Sequence, residues 1–106
     1  MPHHTYRFGA LTVAVSEGVA TVKRRKVRYR ARVQGRDAVA AASVLDDLLL
    51  ALSDPEAFVS DRMGEATGAQ AIRRWREARR VVYAARKFGF AALEEAVEDA
   101  RGRGVL

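Results

Sequence analysis

The sequence predicts an α+β fold: an N-terminal antiparallel β-hairpin or three-stranded meander, followed by three to four α-helices packed on one face. Three observations predict it. Between Tyr6 and Val33 apolar residues recur at alternate positions, the period of half-buried strands. From Ala38 onward the apolar spacing lengthens to that of helices. Gln34-Gly35-Arg36 separates the two regimes, so strands come first and helices after. The 106 residues suffice for one domain, with the sheet over 6–33, the helical part over 37–101 and a short tail over 102–106.

Tyr6 to Val15 reads as a strand. Leu11, Val13 and Val15 share one parity and Tyr6 and Phe8 the other, and the change at Gly9 suggests a bulge or bend. Ser16-Glu17-Gly18 forms a turn, and Val19 to Lys23 returns as a second strand. Ala20 and Val22 are then even, whereas Val27, Tyr29, Ala31 and Val33 are odd. A turn or bulge near Lys23–Lys26 keeps both sets on one face, giving a meander with a cationic tip; a long bulged hairpin is the second choice.

Asp37 is placed to cap a helix from Ala38 to Leu52, in which Ala41, Val44, Leu45, Leu48, Leu49 and Leu52 recur at helical spacing. This most apolar segment should be the central helix against the sheet. Asp54-Pro55-Glu56 starts a short helix ending at Gly64. Thr67 and Gln70 have the spacing of a capping box for a longer helix to about Lys87, stopped by Gly89. Its apolar stripe is Ala71, Trp75, Ala78, Val82 and Ala85. A last helix runs from Phe90 to about Arg101, with Phe90, Leu93, Val97 and Ala100 inward and Glu94, Glu95, Glu98 and Asp99 outward. Arg101-Gly102-Arg103-Gly104 is expected to fray.

Composition narrows the function classes. Apolar content of 49% with 30% charged residues fits a soluble globular chain rather than a disordered one. No cysteine is present, which rules out disulfides and thiolate metal sites and suits a reducing cytoplasmic setting. No apolar run can span a bilayer, and residues 1–5 lack the apolar core of a signal peptide, so no membrane partner is expected. The net charge of +6 is unevenly spread. Residues 1–36 hold nine Lys/Arg and one acid, residues 37–66 one and seven, residues 67–88 seven and one, and residues 89–106 two and four. Either these segments neutralise one another in the fold, or the surface carries a strongly uneven field.

Two cationic sets are candidate nucleic-acid-binding residues. The first is Lys23, Arg24, Arg25 and Lys26 followed by Arg28, Arg30 and Arg32, which line one strand face at alternate positions about 6.8 Å apart. Such a row can neutralise phosphates and release counterions; outward charge on a strand also merely discourages aggregation. The second is Arg73, Arg76, Arg80 and Lys87 on one helix face, flanked by Arg74, Arg79 and Arg86, with Glu77 the sole acid. Trp75 and Tyr83 could stack on bases if exposed, but their spacing favours the core, and Tyr29, alternating with the arginines, is expected to be buried on the opposite strand face. A helix-turn-helix across Gly64–Gly68 is weakly signalled, since only Gln70 in the next helical turn could read a base edge.

Enzymatic constellations are missing from the sequence. His3 and His4 are the only histidines and lie at the terminus, Asp46-Asp47 and Glu94-Glu95 diverge on their helices, and no phosphate-binding loop occurs. The expectation is a non-enzymatic, cofactor-free basic protein that binds DNA or RNA mainly through the phosphate backbone. The alternative is a small interaction, assembly or inhibitor module of the phage or mobile-element type. It would dock its basic face on an acidic protein or self-associate into a homo-oligomer.

Overall fold

A computed structural model describes residues 4–106. Four strands, β1 (His4–Phe8), β2 (Leu11–Ser16), β3 (Val19–Arg24) and β4 (Val27–Arg32), form an antiparallel meander in sequence order. Four helices follow: α1 (Ala38–Ser53), α2 (Pro55–Met63), α3 (Gly68–Phe88) and α4 (Phe90–Gly102). The α+β class and the strands-then-helices order are as expected.

The sheet has one strand more than the expected three-stranded meander and two more than the alternative hairpin. Gly9 does not bulge a single strand but opens a two-residue turn, with Phe8 paired to Leu11. Its φ of +56° suits the first loop position of a tight hairpin. A Cβ at Gly9 would also sit 3.2 Å from Glu95 Cγ, because the turn abuts α4. The other hairpins, Ser16 to Val19 and Arg24 to Val27, have two-residue turns as well. In such a hairpin an even-numbered residue faces an odd-numbered one, so every turn flips the parity of the inward set. That is why Tyr6 and Phe8, then Leu11, Val13 and Val15, then Ala20 and Val22, then Val27, Tyr29 and Ala31 all occupy one face.

Helices α1, α3 and α4 pack on that face, and α2 packs on α1 and α3. Phe8, Leu11, Val13, Val15, Ala20 and Val22 from the sheet meet Ala41, Val44, Leu45 and Leu48 of α1 in a single core. Phe88 of α3 and Leu93, Ala96, Val97 and Ala100 of α4 complete it. Burying each of the larger side chains is worth about 1.5–3 kcal/mol. Helix α1 touches β1, β2, β3 and all three other helices, so it is central as expected. Asp37 caps it by accepting from the Ala40 N–H at 3.0 Å, and Asp54 caps α2 by accepting from Ala57 N–H at 3.2 Å.

Several local expectations are corrected. Thr67 occupies the N-cap of α3 but makes no side-chain cap bond, so no capping box forms. Trp75 and Phe90 are half exposed rather than inward, because no residue between Gly68 and Glu77 is buried and Phe90 opens α4 at the surface. The chain end does not fray. Gly104 at φ +76° donates its N–H to Arg101 O, and Val105 donates to Ala100 O, a Schellman closure that lays Val105 on the core. His4 is not a loose terminal residue but pairs with Val15 in β1; His3 lies outside the described residues.

Candidate nucleic-acid interface

The sheet face turned away from the helices is built by the residues of opposite parity. Its register places Arg7, Thr12, Lys23 and Arg28 in one row across the strands. Thr5, Ala14, Thr21 and Arg30 form the next, and Ser16, Val19 and Arg32 the third. Five cations therefore share this face with small polar and apolar residues and no acid. The row from Arg7 to Arg28 spans about 14 Å at normal strand spacing. Within it Lys23 stands directly opposite Arg28. Like charges in that position are destabilising.

The N–H of Val33 donates to Gly18 O, which fixes the hydrogen-bonding alternation of the β3–β4 ladder. Val27, Tyr29 and Ala31 bond inward to β3, and the N–H and C=O groups of Arg28, Arg30 and Arg32 point outward from the sheet edge. Helix α3 lies beside this edge. The groove between them, about 480 Å³, is lined by Lys26, Val27, Arg28, Tyr29, Arg30, Arg80, Tyr83, Ala84 and Lys87. Five of the nine are cations and none is an acid. Arg80 Cζ stands 5.7 Å from the centre of the Tyr29 ring and Lys87 Nζ 4.6 Å from that of Tyr83. Burial pushes the Tyr29 hydroxyl pKa up, against the pull of the Arg80 charge.

A second groove of about 520 Å³ shares Tyr29, Arg30 and Arg80 with the first and continues past Arg32 to Arg62, Asp47 and Glu77. Of its two acids only Asp47 is engaged in an ion pair among the described residues. Asp47 accepts from Arg62 at 3.0 Å. Burial raises the Asp47 pKa, with the Arg62 cation opposing the shift.

The tertiary structure thus joins Lys26, Arg28, Arg30, Arg80 and Lys87 in one groove, with Arg32 in its continuation and Lys23 on the adjoining sheet face. Arg25 sits at the exposed β3–β4 turn with φ +55°. Arg24 has the inward parity and donates to the Phe88 carbonyl at 3.3 Å, closing the C-terminus of α3. Arg73 and Arg76 are exposed on the half of α3 that extends beyond the core, away from the lining of either groove. Arg74 donates to Met63 O at 3.3 Å and so ties α3 to the end of α2. Arg7 escapes the sequence reading because its face is legible only once Gly9 is known to turn the chain. Tyr83, named in the sequence as a base-stacking candidate but expected in the core, is 62% exposed because it lies off the buried stripe of Ala78, Val82 and Ala85.

Neutralisation within the fold does not account for these cations. Among the described residues two ion pairs form, Arg62 with Asp47 and Arg103 with Asp99, and neither draws on residues 4–36 or 67–88. Also among the described residues, no three His, Cys, Asp or Glu side chains are grouped to hold a metal ion. No helix among the described residues is long and apolar enough to cross a membrane. Away from the basic groove, Pro55, Val59, Met63 and Trp75 line an apolar groove between α2 and α3. Comparison with protein-family models, with curated proteins and with solved structures found no match.

Proposed function

We propose that the protein binds nucleic acid without catalysing a reaction on it, gripping mainly the phosphate backbone. One observation carries this reading: an acid-free run of cations continues from the outer sheet face around the β4 edge into the groove against α3. It includes Lys23 directly opposite Arg28, a like-charge pair that costs stability with no acid in its row to offset it. Local rules broken without compensation in the fold mark functional surfaces.

Titrating labelled single-stranded and duplex oligonucleotides with the protein across a salt series tests the reading. The logarithm of affinity should fall linearly with the logarithm of salt, at about 0.7–0.9 per phosphate neutralised. Replacing Arg28, Arg30 and Arg32 together by glutamine should weaken binding and flatten that slope by about 2. Unchanged affinity in the triple variant would remove the β4 edge from the site.

A second reading, an interaction or assembly module, draws on the half-exposed Trp75 and Ile72 near the α2–α3 groove. Light scattering would then give a mass above 11.7 kDa for the protein alone.

A further inference from the structure

We infer, on the premise of the nucleic-acid reading, that the ligand is a single strand lying along the β4–α3 groove with a base stacked on Tyr83. Three features of the groove carry this. First, it is a cleft between a strand edge and a helix rather than a flat basic wall. Its volume of about 480 Å³ is that of a site for a drug-sized molecule. It can take unstacked nucleotide units in turn, whereas a base-paired stack would have to stay outside it.

Second, an aromatic ring stands among the cations. Tyr83 is 62% exposed, and Lys87 Nζ lies 4.6 Å from its ring centre. A base stacked there would carry its phosphate into reach of Lys87, Arg80 or Lys26, which line the same groove. Aromatic platforms combined with a cationic channel are the general means of holding single strands irrespective of sequence. The alternation of Tyr29 with the arginines points the other way, since it puts ring and charge on opposite strand faces. The objection lapses because β4 is an edge strand, and both of its faces border the groove that α3 closes.

Third, the outward N–H and C=O groups of Arg28 and Arg30 are a donor–acceptor ladder along the groove wall. Base edges can meet such a ladder only when they are not paired to another strand. A second copy of this chain is a poor occupant of the same edge. Antiparallel pairing of β4 with β4 would set the arginine row against itself, like charge facing like charge.

The test compares fluorescence anisotropy of a labelled oligothymidylate and a duplex of equal length with the intact protein across a series of salt concentrations that begins low. The single strand is expected to bind more tightly. Tyr83→Leu should weaken it about tenfold while leaving the salt slope unchanged, since no phosphate contact is removed. Tyr83→Phe should restore the affinity, and Arg80→Gln should lower affinity and slope together. Circular dichroism checks that the variants fold, which the exposure of Tyr83 makes straightforward. A preference for the duplex, or equal affinity of Tyr83→Leu and the parent protein, overturns the single-strand inference and leaves backbone binding standing. Failure of both oligonucleotides to bind overturns both readings, most plainly if an oligoglutamate peptide binds instead.

Discussion

Asp99 shows how far a single residue's role can depart from its place on a helical wheel. It falls among the outward acids of α4, yet its carboxylate accepts from Gly9 N–H at 2.8 Å and takes two bonds from Arg103 at 2.9 and 3.0 Å. The Gly9 N–H, followed by Arg103, holds its pKa below the ordinary 3.8. A carboxyl depressed on folding contributes stability above the unfolded value, and that contribution fades as pH falls through the lower folded one. Asp99→Asn keeps an acceptor for Gly9 but cannot ionise. Its urea midpoint should therefore lie below that of the parent at pH 7, and the gap should close well below pH 3.8. A gap that persists unchanged in acid would show that shape, not charge, is what position 99 supplies.

At the scale of elements, the sheet is governed by its turns. Glu17 and Gly18 both have positive φ, 52° and 77°, as a two-residue type I′ turn requires. Glutamate is strained there, whereas asparagine visits this region readily. Glu17→Asn should thus raise unfolding stability by about 1 kcal/mol, measured by denaturant unfolding at constant slope. No gain would mean that the strand pairing, rather than the turn, sets the cost of this hairpin. Helix α3 divides into two parts for an equally local reason. From Ala78 to Phe88 it packs through Ala78, Val82, Ala85 and Phe88, while from Gly68 to Glu77 it buries nothing and carries Arg73 and Arg76 outward. Its apolar stripe was legible in the sequence from Ala78 through Val82 to Ala85, and Trp75 was misplaced because the core ends below it.

For the molecule as a whole, charge is organised against stability. Nineteen lysines and arginines face thirteen acids, yet among the described residues only Arg62 and Arg103 form ion pairs. Cations on the outer sheet face and in the groove repel one another, and screening that repulsion favours the folded state. Raising salt from about 10 to about 150 mM shortens the Debye length from roughly 30 to roughly 8 Å. The melting temperature of the protein alone should rise over that range while nucleic-acid affinity falls. A melting temperature that drops with salt would indicate that attraction between the acidic and basic segments dominates the fold's electrostatics.

The sequence by itself determined the class of fold, the helix cap at Asp37, the helix start at Asp54-Pro55-Glu56, the central role of α1 and the existence of two basic segments. Each of these follows from neighbours in the chain: alternation, helical spacing, or a capping side chain three residues from its partner. Only the tertiary structure decided which cations act together. That Arg80 and Lys87 meet Lys26, Arg28 and Arg30, and that Arg24 turns instead to the Phe88 carbonyl, depends on where α3 comes to rest beside β4. Residues fifty or more positions apart are placed there by burial of a shared core, and no local periodicity carries that information.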